Sequence, residues 1–133
     1  MLFLRPATKA GSFYIPKPLL ADVFDILTEE QIIQVTKNWV KSHSKDFMIM
    51  VNKEHKLTSF LEGYRDWLDL SEFNYTYHQA DDGLEQYVLK FNMGKKFNFH
   101  IGKSLQFLFE ELQAKDFKIE ITDNAAIFRY KKE

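Results

Sequence analysis

The chain has 133 residues, 18 basic against 19 acidic side chains, a formal net charge of −1 and 45 % hydrophobic residues. That length suits one domain able to bury about two-thirds of its unfolded surface, and the near-neutral charge gives no global attraction to nucleic acid. The absence of cysteine excludes disulfides, thiolate catalysis and Cys-type zinc or iron–sulfur sites, and no apolar run approaches the ~18 residues of a membrane span, so a cytoplasmic protein is expected.

In chain order, residues 1–16 read as an extended linker whose opening is too short in its apolar part for a signal peptide. Residues 17–133 are expected to form a single α+β domain. "YIPKP" marks a helix start near Pro18, where a missing N–H is harmless. Leu19, Leu20, Val23 and Phe24 give this first helix an apolar side. Thr28 then offers an N-cap, Gln31 completes a capping box, and Glu29 and Glu30 lie at the positive end of the helix. Ile32, Val35, Trp39, Val40, His43, Phe47 and Val51 recur mainly at three- and four-residue intervals, which predicts one long helix over roughly 28–51. Leu57, Phe60, Leu61, Tyr64, Trp67 and Leu68 predict a third helix at about 57–69.

At Phe73 the period changes to two. Phe73, Tyr75 and Tyr77 alternate with Asn74, Thr76 and His78, the turn "ADDG" follows, and Tyr87, Leu89 and Phe91 alternate on the return, which predicts a hairpin. A helix is expected over 97–113, then a strand carrying Phe117, Ile119 and Ile121, a turn at Asp123 and Asn124, and a last strand "AAIFRY". That strand has apolar groups on both faces, as expected if it is central or covered by a partner. The whole reads as N-terminal helices followed by a ββαββ unit with a four-stranded, mainly antiparallel sheet.

The stretch "MGKKFNFHIGKS" superficially resembles a phosphate-binding loop. Such a loop needs a glycine five positions before Gly102, and Phe97 stands there. Phe97, Ile101, Leu105, Leu108, Phe109 and Leu112 also form one apolar helical face, which places Gly102, Lys103 and Ser104 inside a helix.

Other chemistry-bearing residues are dispersed. The histidines His43, His55, His78 and His100 form no i, i+4 pair for a helical metal site. Ser42, Ser44 and Ser104 lack a glycine elbow, and Asp81 and Asp82 sit where a turn favours them. The sequence therefore assigns no catalytic residue, no metal ligand and no cofactor, and a non-enzyme is expected. One charge pattern remains: Lys90, Lys95, Lys96 and Lys103 occur with no acid among them, so Lys95, Lys96 and Lys103 are candidate anion contacts at a helix N-terminus. Nucleic-acid association through them would be weak, salt-sensitive or indirect.

The runs "YIPKPLL…ILTEEQI", "LTSFLEGYRDWL", "YVLKFNMGKKFNF…LQFLFEEL" and "FKIEITDNAAIFRY" resemble, over about 13–131, an uncharacterised archaeal domain often found behind a short ribbon-helix-helix DNA-binding segment. In that family a His-Asn/Asp-Leu-Gly-x-Lys-Trp-Ser pattern occupies the place of Phe91 to Asn98. Here Phe91 replaces the histidine and Phe97 the tryptophan, which weakens a metal or acid–base role for the segment. The ribbon-helix-helix unit has no counterpart before residue 13. The order of elements is also similar in topology to haem-nitric-oxide/oxygen domains and vinyl-reductase-type ligand-binding domains.

The resemblance implies a dimerising accessory domain of an archaeal transcription-regulator-like protein. The thirteen Phe and six Tyr add the expectation of a bulky core shared in a homodimer, with Phe128 and Tyr130 as candidate interface residues. The alternative is a sensor holding an apolar small molecule between helices and sheet. A haem there would need an axial ligand, and His43 is the histidine whose predicted face points inward.

Overall fold

The computed structural model describes residues 15–52, 56–79 and 83–131. Apart from Ile15 and Pro16, the predicted linker lies outside these residues, as do His55, Asp81 and Asp82. Among the described residues five helices and four strands follow in the order α1 (Lys17–Ile26), α2 (Glu29–Ser42), α3 (Ser44–Asn52), α4 (Leu57–Leu70), β1 (Asn74–Gln79), β2 (Leu84–Lys90), α5 (Lys95–Glu111), β3 (Lys118–Ile121) and β4 (Ala126–Lys131). The α+β architecture expected from the sequence is the one observed.

Local signals act as predicted at the start of α2. Thr28 Oγ1 accepts from the Gln31 N–H at 3.1 Å, and Gln31 Oε1 accepts from the Thr28 N–H at 2.9 Å, closing the capping box.

The expected long helix is instead two. His43 takes φ −129° and ψ −27°, and the next residue, Ser44, turns its hydroxyl back onto the Val40 carbonyl at 2.5 Å. A serine competing in this way for an i−4 carbonyl bends a helix. The buried positions are Ile32, Thr36, Val40, Ser44 and Met48, a strict four-residue series. Such a series drifts about 40° per step around a straight helix, and the break at His43 keeps its later members on the core side. Val35 and Trp39, read as core, are 54 % and 37 % exposed, and His43 is exposed too.

The sheet order is β1-β2-β4-β3, with every neighbour antiparallel. Tyr77 faces Tyr87, Tyr87 faces Phe128 and Phe128 faces Ile119, so one register line carries aromatic and branched groups across the helix-covered side. β4 is central, which explains its apolar groups on both faces: Ala126, Phe128 and Tyr130 are buried, while Ile127 and Arg129 on the opposite face are half-buried.

α5 lies across this sheet and carries Phe97, Ile101, Leu105, Leu108 and Phe109 into the core. Gly102 marks its closest approach: a Cβ there would come within 2.3 Å of Ile121 Cγ1. The glycine of "GKS" is thus buried mid-helix and serves helix–strand packing, as its predicted place inside a helix requires.

Candidate functional site

A cleft of about 550 Å³ opens where α1 meets the start of β1 and the connection from β2 to α5. α1 contributes Lys17, Pro18, Ala21, Asp22 and Asp25; Glu72, Phe73 and Asn74 form the second wall; Lys90 to Gly94 form the third. Three residues of these walls have left-handed backbone: Glu72 and Asn92 at φ 57° and Gly94 at φ 89°. Glu72 ends α4, with Phe73 N–H reaching the Leu68 carbonyl at 3.0 Å and Glu72 N–H the Asp69 carbonyl at 3.1 Å, the paired bonds of a Schellman stop. Gly94 ends the approach to α5 and packs close to α1, since a Cβ there would sit 3.6 Å from Asp25 Oδ1.

The apolar part of the cleft is continuous with the core. Phe73 and Phe91 meet edge-to-face at 4.7 Å, Phe91 meets Phe97 at 5.2 Å, and Phe97 meets Phe24 of α1 at 5.6 Å. Phe91 and Met93 are buried, whereas Asp22, Asp25, Glu72, Asn74, Lys90 and Asn92 are exposed. Lys17 Nζ stands 4.4 Å above the centre of the Phe73 ring, a cation–π distance.

Of the candidate anion lysines, Lys96 is engaged within the chain. Lys96 Nζ donates to the carbonyls of Asp25 at 2.9 Å and Leu27 at 2.6 Å, capping the end of α1. Lys103 Nζ lies 5.6 Å over the Phe99 ring, about two helical turns further along α5, and Lys95 is exposed in the first turn. Lys96 is therefore engaged with carbonyl groups and is not held open for an anion.

Phe128 and Tyr130, the candidate interface residues, are 0 % and 4 % exposed within the chain itself. Phe128 stacks on Tyr87 at 4.9 Å and packs against Phe109 at 5.6 Å. Tyr130 is hydrogen-bonded to the buried Glu85 carboxylate, and burial first, with that bond second, pushes its phenol pKa up. The Tyr77 hydroxyl also donates to Glu85, and Arg65 of α4 donates to the Tyr87 hydroxyl. These side chains tie α4 to the sheet. The central position of β4 beneath α5 accounts for their apolar character.

The histidine that points inward is His100. Its Nδ1 lies 2.8 Å from Thr36 Oγ1 and its ring stacks on Phe24 at 4.5 Å; burial lowers its pKa to about 4. Sequence periodicity missed it because its partner on α2 is a threonine, which does not register in an apolar stripe. Among the described residues no group of three or more His, Asp or Glu side chains is placed to hold a metal ion, and no helix is long and apolar enough to cross a membrane.

No protein-family model and no curated protein matches the sequence. The fold is similar to that of an H-NOX protein from S. oneidensis, solved in its Fe(II)NO ligation state, with a TM-score of 0.53 and 11 % sequence identity over 86 % of this chain and 71 % of that one. A haem does not fit the residues present here. The space between α5 and the sheet is filled by Phe97, Phe109, Phe128, Leu89 and Leu105, each at most 2 % exposed, and His43, the histidine expected to face inward, is exposed. The likeness shows a shared arrangement of helices and sheet.

Proposed function

We propose that this domain is a non-catalytic ligand-binding module of the sensor type, whose site is the cleft between α1, Phe73 and the 90–94 connection. The observation that carries the reading is the cleft itself, in which charged and amide groups surround an aromatic floor. Polar groups converging around an apolar base can orient a small molecule, and here the charged and amide residues make up about half of the lining. The similarity in fold to an H-NOX protein supports it in one respect: that protein, by its description, holds NO on iron. The filled core removes the expected apolar site between helices and sheet, so the proposed site is the surface cleft instead.

Native mass spectrometry of the purified protein, with an absorption spectrum beside it, tests the reading. Bound mass that leaves on denaturation and is lost in Asp22→Trp, which fills the cleft from an exposed position, is the expected result. A protein that is apo at every concentration, and whose cleft resonances respond to no member of a metabolite library, overturns it.

A second reading, a homodimerising accessory domain, is favoured by one observation. Leu19, Val23 and Ile26 of α1 form an apolar stripe that is 52 %, 44 % and 82 % exposed. Leu19→Asp with Ile26→Asp should then give a folded monomer, and an unchanged dimer would remove that interface.

A further inference from the structure

We propose that the cleft recognises an aliphatic ammonium group, as carried by a polyamine or an amino acid, an assignment that rests on the cleft being a ligand site. The protein itself places an alkylammonium on the cleft's aromatic floor: Lys17 Nζ lies 4.4 Å over the Phe73 ring. Phe73 is held in that position by Phe91 at 4.7 Å and Trp67 at 5.3 Å, so the ring face is a fixed platform. An ammonium from a ligand can exchange for the Lys17 ammonium, whose stem is anchored in the first turn of α1.

The remaining charges favour the same ligand. Asp22 and Asp25 are three residues apart on the wall formed by α1, a spacing that brings two helical side chains to one side. Glu72 stands on the second wall, just past the C-terminus of α4, where the helix dipole adds negative potential. None of these three carboxylates is hydrogen-bonded or ion-paired by another described side chain. An anionic ligand would meet all three, and a neutral apolar one would desolvate them without compensation. Lys90 and Gly94, the residue before α5, form the other end of the cleft, which is the feature that separates a zwitterion from a polyamine.

Four ligands of the same chain length decide the matter when titrated at fixed ionic strength and followed by ¹⁵N–¹H spectra: putrescine, 4-aminobutyrate, succinate and 1,4-butanediol. Putrescine or 4-aminobutyrate should shift the resonances of Ala21, Phe73, Asn92 and Gly94, and the tighter of the two names the source. Phe73→Leu should weaken that binding about three-fold by removing the ring face. Asp25→Asn should weaken it by a similar factor, and Lys17→Met should tighten it by removing the internal occupant. Succinate or butanediol binding there as tightly as the amines overturns the ammonium assignment while leaving the cleft a ligand site. Silence from all four overturns the assignment, and bound mass in the native spectrum would then show that the cleft reading itself survives.

Discussion

Thr36 Oγ1 and His100 Nδ1 meet at 2.8 Å across 64 positions of sequence, and the same imidazole stacks on Phe24 at 4.5 Å. One side chain of α5 thereby joins α1 and α2. Burial lowers the His100 pKa to about 4, against about 6.5 in an unfolded chain. Between these values the unfolded state binds a proton that the folded state does not, so stability is full above pH 6.5 and falls as pH drops towards 4. The loss should reach about 3 kcal/mol. Urea titrations from pH 7.5 to 4 check it: in His100→Asn, which keeps an amide partner for Thr36, this part of the slope should vanish.

Gly102 and Ile121 define a second contact that fixes α5 on the sheet. Alanine is the better helix former by about 1 kcal/mol, yet its Cβ would overlap Ile121 Cγ1 and Cδ1 at 2.3 and 2.4 Å. Overpacking of this kind costs about 1–3 kcal/mol, so Gly102→Ala should destabilise. Combined with Ile121→Ala the same change should become neutral or stabilising, because the overlapping atoms are gone. Thermal unfolding of the two singles and the double variant measures this coupling.

Gln113 ends α5 with φ 56°, and Ala114 N–H reaches the Phe109 carbonyl at 2.9 Å. A left-handed non-glycine residue costs about 1–2 kcal/mol, part of which glycine returns as lost chain entropy. Gln113→Gly should therefore stabilise by about 0.5–1 kcal/mol. Glu72→Gly repeats the backbone change at the end of α4 and also removes a carboxylate from the cleft. It should raise the midpoint of thermal unfolding similarly while weakening ammonium binding, a separation that calorimetry with and without putrescine reads directly.

Lys96 reaches from α5 to the last carbonyls of α1, at Asp25 and Leu27. Lys96→Met keeps the stem and loses the donor, and should cost about 1 kcal/mol. The expected signature is local: faster amide hydrogen exchange in α1, with the protection of α5 and β4 unchanged. Equal acceleration throughout would mean that Lys96 supports the fold globally and not the docking of α1.

The capping box at Thr28, the hairpin around Gly83 and the apolar face of α5 were all legible in residue order, because each follows from spacing or from a local bond, whereas the apolar groups on both faces of β4 left its place open between a central strand and a partner-covered one. The core stripe of α2 and α3 was not legible. Its members Thr36 and Ser44 are polar and become core residues only through His100 and the Val40 carbonyl, while Trp39 has aromatic neighbours at His43 and Phe47 although it stays partly exposed. Hydrophobic periodicity counts residue types and cannot see a hydroxyl satisfied from a distant helix.

The same limit governed the site. The lysines of 95–103 form a charge run in sequence, but which of them is engaged depends on where α1 ends in space. The cleft is assembled from residues 17–25, 72–74 and 90–94, three stretches that share no motif. Periodicity, caps and turns determined the elements of this protein, since they act within a few residues. Tertiary structure alone decided which faces are buried and which charges converge, since both depend on contacts between residues far apart in the chain.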